Sequence, residues 1–147
     1  LFPEEEFSCI TCMGNTMPHL LLPEINTFLH NVFQHLESGG VFIFQNINYD
    51  RVLDLSLRGL PTLEQGEVTF SRYYSLPKTN GRIDFDTILS DPEHDREIRN
   101  SIELTPLRKT QLEEYLTASG FTRLNFYGSF AGTPWSEDSY LTIGVCS

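Results

Sequence analysis

The sequence predicts an α/β fold: two parallel strands joined by a crossover helix, a closing antiparallel hairpin, and an antiparallel β insertion between them. Three observations carry this. First, Ile25, Phe28, Leu29, Val32, Phe33 and Leu36 recur at i, i+3, i+4, i+7, i+8 and i+11, the apolar stripe of a helix. Second, that stripe lies between two apolar runs, Phe7–Met13 and Val41–Phe44, each giving out into polar residues. Strand, helix, strand over roughly 40 residues reads as a βαβ unit with a right-handed crossover. Third, alternating runs around Val68–Tyr74 and Ile83–Leu89 have the period of strands rather than of helices.

The elements follow in order. Leu1–Glu6, with Pro3 and three glutamates, reads as an exposed lead-in. Pro23 suits a first helical turn, where its missing N–H costs nothing, and Gly39-Gly40 suits the helix stop. Asp50–Leu57 continues as a short helix. Glu67–Leu76 then alternates as a strand, Lys78-Thr79-Asn80-Gly81 supplies a turn, and Ile83, Phe85, Thr87 and Leu89 form the returning strand. Arg96–Leu104 places Ile98, Ile102 and Leu104 on one face as a third strand, so the insertion covers about 62–104. Thr105-Pro106 has the form of a helix start, an N-cap hydroxyl before Pro at N1. Leu107, Leu112, Tyr115 and Leu116 give that helix its buried face, and Gly120 ends it. Phe121–Tyr127 and Ser139–Cys146 are the closing strands, around a long loop carrying Phe130, Pro134 and Trp135, aromatics read as hydrophobic plugs.

Composition bounds the function. A chain of 147 residues fits a single domain, 1–147, and its 39% hydrophobic content excludes a disordered chain. Twenty acidic against ten basic residues give a formal charge of −10, a field that repels nucleic acid and anionic membrane. No apolar run approaches the ~20 residues of a membrane helix. Three cysteines, an odd number, argue against a disulfide framework and suit a reducing cytoplasm. Cys9 and Cys12 form a C-x-x-C, but residues three apart on a strand face opposite sides. Core packing is therefore expected of them, and no metal site.

Parallel strands end on one edge of their sheet, where ligands of open α/β sheets bind. The polar residues collect there: Asn15, Thr16 and His19 after the first strand, Gln45, Asn46, Asn48 and Tyr49 after the second. Gly14 permits a close backbone approach. Asn15 offers a donor and an acceptor, or simply makes the turn with Gly14. Tyr49 either faces this crevice or packs in the core. Arg72, among Phe70, Tyr73 and Tyr74, needs an anionic partner: an acidic ligand or one of the many Asp and Glu side chains. Ser-His-Asp spacing, a Walker loop and His-Glu-x-x-His are all absent from the sequence.

Met-Gly-Asn-Thr-x-x-His-Leu (Met13 to Leu20), Leu-Glu-Ser-Gly-Gly, Val-Phe-Ile-Phe, Asn-Tyr-Asp (Asn48 to Asp50) and the Gly-x-Phe-x-Gly-x-Pro loop follow one another in order. Together they resemble the second half of a class I S-adenosylmethionine-dependent methyltransferase, in the flavour of the glycine/sarcosine N-methyltransferase-like enzymes. The resemblance implies half of a Rossmann-like methyltransferase sheet, carrying strands 4, 5, 7 and 6 of the class order 3-2-1-4-5-7-6. It implies that the N-terminal half with its Gly-rich cofactor loop is absent here, and that this chain alone binds S-adenosylmethionine feebly. It implies methyl transfer to a small molecule, with nitrogen as the expected site. Met13, Gly14 and His19 would lie along the methionine part of the cofactor. Asn15, Asn48 and Tyr49 would stand at the reacting centre, and Asn15, Gln45 and Arg72 would hold the acceptor. Ile47 occupies the position where the glycine enzymes carry a carboxylate-binding arginine, which weakens glycine as the acceptor.

Two rivals stand beside this reading: a non-catalytic α/β interaction domain, and a nicotinamide-dependent oxidoreductase fragment. The absence of Gly-x-Gly-x-x-Gly counts against the second. Phe7–Met13 would be an interior strand of the full sheet, so its open edge is expected to pair with the missing N-terminal half or with a second copy.

Overall fold

The computed structural model describes residues 5–147, and the proline and first acidic residue of the lead-in lie outside them. The chain divides into two compact units. The first runs up to Arg51 and resumes from Leu107 to Ser147; the second is Val52–Pro106.

In the first unit, β1 (Phe7–Cys12), α1 (Leu22–Gln34) and β2 (Leu36–Ile47) make the expected parallel βαβ unit. Within α2 (Tyr49–Asp54) the chain enters the second unit, and it returns through α3 (Lys109–Ser119), β7 (Leu124–Tyr127) and β8 (Leu141–Cys146). The sheet order is β1-β2-β8-β7, with β8 antiparallel to both neighbours. In the class numbering this is 4-5-7-6.

Helix α1 buries Ile25, Leu29 and Val32, and α3 buries Leu112 and Leu116. Between them and the sheet lies an aromatic core. Phe42 meets Phe28 edge-on at 6.2 Å and Phe121 at 5.9 Å, while Phe44 meets Phe126 edge-on at 6.3 Å. Such pairs add about 0.5–1.5 kcal/mol each beyond area burial. Gly120 caps α3 where a Cβ would lie 2.7 Å from the Phe33 ring, so that ring requires the glycine.

Several boundaries differ from the sequence reading. Helix α1 ends at Gln34, so Leu36 belongs to β2 although it continues the helical spacing. Gly39, at φ +83°, lies inside β2 rather than at the helix stop, in the stretch where the register slips: β1 advances from Phe7 to Cys9 while β2 advances from Leu36 to Val41. Thr105-Pro106 does not start α3, whose first turn is Lys109. Thr105 is instead buried. Cys12 is in the core but Cys9 is exposed, as opposite faces of a strand require. Burial raises the Cys12 thiol above its ordinary pKa and pushes Cys146 up to about 12.

The second unit is a four-stranded antiparallel sheet in simple order: β3 (Gly59–Gln65), β4 (Val68–Tyr74), β5 (Ile83–Asp91) and β6 (Arg96–Leu104). The insertion is therefore longer than 62–104 and has one strand more than expected. Strand β3 is an edge, and Pro61 sits in it where the register slips between Leu60 and Leu63. Proline and a bulge are devices that keep an edge from pairing further. The Lys78–Gly81 turn forms as expected, closed by the Gly81 amide donating to the Lys78 carbonyl at 2.9 Å. Hydrogen bonds to Asp84 and Glu103 hold the Lys78 ammonium above its ordinary pKa.

Candidate functional site

The carboxyl ends of β1 and β2 are tied together by side chains that both strands send across the edge. Gly14, at φ +76°, and Asn15, at φ +59°, turn the chain out of β1 in consecutive left-handed conformations. Asparagine is among the few residues that tolerate this region. The Gly14 amide donates to Gln45 Oε1 at 3.0 Å, and the Asn15 amide to the Gln45 carbonyl at 3.1 Å. Asn15 then uses both ends of its side chain. Its Nδ2 donates to Tyr49 Oη at 3.0 Å, and its Oδ1 accepts the Ile47 amide at 2.9 Å. Thr16 Oγ1 donates to the Met13 carbonyl at 2.6 Å and closes the turn into the short 3-10 helix Met17–His19.

Of the residues singled out from sequence, this network brings together Gly14, Asn15, Gln45 and Tyr49. Met13 is exposed beside them, and no atom lies within 4 Å of where a Gly14 Cβ would stand. His19 is exposed one turn further on. Tyr49 is fully buried with its hydroxyl on Asn15, so core packing and a link to the crevice coexist in one side chain.

Asn48 faces elsewhere. It is 1% exposed, and its Nδ2 donates to the carbonyls of Ser136, Glu137 and Ser139 at 3.2, 3.0 and 2.9 Å. Its Oδ1 accepts the Asp50 and Arg51 amides at 3.1 and 3.4 Å, capping α2. An amide side chain has two N–H groups and two lone pairs. Nothing of Asn48 is left for a ligand, and its place is structural: it pins the loop before β8. The rest of that loop is held by Trp135, whose Nε1 donates to Thr142 Oγ1 at 2.9 Å. Phe130 is not a plug; it is 69% exposed.

Arg72 lies in the second unit, on β4. Asp50 was not assigned a role from sequence. It accepts the Lys109 amide at 2.8 Å and Arg108 Nη1 at 3.2 Å, supplying negative charge at the start of α3. The signal was indirect: an arginine at the helix N-cap cannot accept the free amides of the first turn, so a carboxylate had to come from elsewhere.

The described atoms offer amides, one phenol and an imidazole, and no activated nucleophile. Such a set binds and orients; it does not attack. Gly14 is open to a ligand lying against the backbone, and Gln45 Nε2 keeps both hydrogens free.

No family model matches the chain. Among solved structures it superimposes on an S-adenosylmethionine-dependent methyltransferase from Clostridium acetobutylicum with a TM-score of 0.81 at 17% identity, covering 98% of this chain and 59% of that one. Against the CcbJ methyltransferase of Streptomyces caelestis the TM-score is 0.79 at 16% identity, over 97% of this chain and 57% of that one. The fold is thus that of the S-adenosylmethionine-dependent methyltransferases. In sequence, the chain is 24% identical over 156 residues to the glycine/sarcosine N-methyltransferase of Aphanothece halophytica, covering 97% of this chain and 52% of the relative. The chain spans about half the length of the curated relative it matches.

Proposed function

We propose that the chain is the acceptor-side, C-terminal portion of an S-adenosylmethionine-dependent methyltransferase acting at nitrogen on a small molecule. The observation that carries this is the network of Gly14, Asn15, Gln45 and Tyr49 at the carboxyl ends of two parallel strands, on a sheet ordered as in that fold. The N-methyltransferase relative supports nitrogen as the acceptor atom. When bound, S-adenosylmethionine supplies an electrophilic methyl group on a sulfonium. Transfer to an amine lone pair asks the protein chiefly for alignment. Met13, Gly14 and His19 would hold the methionine end. Gln45 would orient the acceptor through its free amide, and Asn15, through Tyr49 and Ile47, would hold the two strand ends in register.

Residues for the adenosine and ribose would lie in the part of the relatives that this chain does not cover, so the chain by itself would bind the cofactor feebly. In the complete protein, Asn15→Ala should lower kcat by about tenfold to a hundredfold, since small displacements at a reacting centre cost that much. Cofactor affinity should change far less. Steady-state kinetics beside calorimetry separate the two, and an unchanged kcat would reduce Asn15 to a turn-making residue.

The partner side of the proposal concerns β1. Among the described residues it pairs with β2 alone, and Phe7, Cys9, Ile10, Phe28 and Val32 line an apolar groove of about 480 Å³ along its open side. The N-terminal half of the methyltransferase sheet is the proposed occupant. Without it, light scattering of the chain should show a dimer or larger species, which Ile10→Lys shifts toward monomer or insolubility. A clean monomer at high concentration, with fast-exchanging amides along Phe7–Cys12, would refute the pairing. No helix among the described residues is long and apolar enough to cross a membrane.

A further inference from the structure

We propose that the sheet of the second unit carries an oxyanion-binding site centred on Arg72, for a small molecule whose carboxylate or phosphate is joined to an apolar body. Residues directly opposite one another in an antiparallel sheet share a face. Arg72 stands opposite Thr87, and Thr87 opposite Asn100. A guanidinium, a hydroxyl and a carboxamide thus form one row, with neighbouring strands about 4.8 Å apart. The rows on either side are apolar, Phe70 with Leu89 and, on the other flank, Phe85.

Arg72 is half-buried and unneutralised. Nη2 donates to the Pro61 carbonyl at 2.7 Å, and the guanidinium carbon lies 5.7 Å from the Phe70 ring centroid. Its Nε is shut off from solvent with no acceptor, and no described carboxylate stands within ion-pair distance. This occurs in a chain with twenty acidic residues to ten basic ones. Arg82, just before β5, likewise has a buried Nε without an acceptor, but its guanidinium meets Glu103 at 3.0 Å. A carbonyl and a ring face offset only part of the cost of removing a guanidinium from water; a bidentate oxyanion offsets it better. Thr87 and Asn100 add polar groups in line, and Phe70 and Leu89 receive an aliphatic body. Taking this molecule to be the methyl acceptor rests on the function proposed above; the oxyanion site itself does not.

The test is a titration of the full chain, with arginine side chains labelled for NMR, by sodium hexanoate, sodium phosphate and hexylammonium chloride at matched ionic strength. Hexanoate or phosphate should shift the Arg72 Nε–H resonance and the Thr87 and Asn100 amides saturably, and the tighter of the two names the anion. Hexylammonium should give no saturable shift. Arg72→Gln should weaken binding by about tenfold or more, the loss of one charge-assisted contact. If Arg72→Gln does not fold, the paired change Thr87→Val with Asn100→Leu, which keeps the guanidinium, should still weaken binding severalfold. Shifts that fail to saturate, or that survive these substitutions, overturn the site. No methyl donor is present in the titration, so its failure leaves the methyl-transfer reading standing, and a kinetic failure of Asn15→Ala leaves this site standing.

Discussion

Asn48→Ala should destabilise the chain by about 3 kcal/mol, since it breaks a buried hydrogen-bond network in which each group left unpaired costs about 1–3 kcal/mol. The side chain's two N–H groups are shared among three loop carbonyls, and its oxygen accepts two amides in the first turn of α2. Removing it strips the cap, worth about 1 kcal/mol, and leaves the three carbonyls without their donor. Asn48→Asp separates the two duties. It keeps an acceptor for the cap but turns an anion toward the carbonyls of Ser136, Glu137 and Ser139, so it should be no more stable than the alanine variant. Urea unfolding gives the energies, and amide exchange in residues 128–139 locates the damage. A cost below about 1 kcal/mol for Asn48→Ala would refute the role and reopen a ligand-facing one.

Gly144→Ala is the second large effect, expected at about 3 kcal/mol, the upper range for overpacking a filled core. A Cβ built on Gly144 would lie 2.1 Å from Phe44 Cε1 and 2.4 Å from its Cζ. Glycine in a strand interior marks this kind of close approach. The ring has nowhere to retreat: Phe44 is fully buried, and Phe42 and Phe126 hold it at 5.6 and 6.3 Å. The urea midpoint should fall with the m-value unchanged. Phe44→Leu in the same chain should recover part of the loss, so a double-mutant cycle should show coupling of about 1 kcal/mol or more. Strict additivity would mean that the strain is relieved by backbone movement instead.

What the sequence made legible was local. The βαβ unit, the Lys78–Gly81 turn and the alternation of β4, β5 and β6 all announce themselves within a few residues. The order of the sheet came through resemblance and held. Strand β3 escaped notice because Pro61 and a bulge interrupt its alternation, and an edge strand needs less of it. The start of α3 was misplaced because its stabilising carboxylate, Asp50, stands 59 positions from Lys109. Leu36 continued a helical stripe past the last helical residue, since periodicity does not say where hydrogen bonding stops. At the site, the Gly14–Asn15 turn was readable and the fate of Asn48 was not. Its three carbonyl partners lie 88, 89 and 91 residues away. No local pattern encodes a contact of that range.

The strand order also carries a consequence for how the chain is made. In the second unit each strand pairs with its sequence neighbour, so the whole sheet can zip from one hairpin to the next. Contacts of short separation form fast because little loop entropy is lost before they are rewarded. In the first unit only the outer pairs, β1–β2 and β7–β8, join sequence neighbours. Its central ladder joins β2 to β8, Ile47 to Leu141, and cannot close on a ribosome until the tail has left the tunnel. Until then β2 has a parallel partner on one side and a bare ladder on the other. The Lys109 amide donates to Asp50 and joins the two ends of the 52–106 excursion in the folded chain. With that neck closed, the loop between β2 and β8 is shorter than their full separation in sequence, and less entropy is lost when they pair.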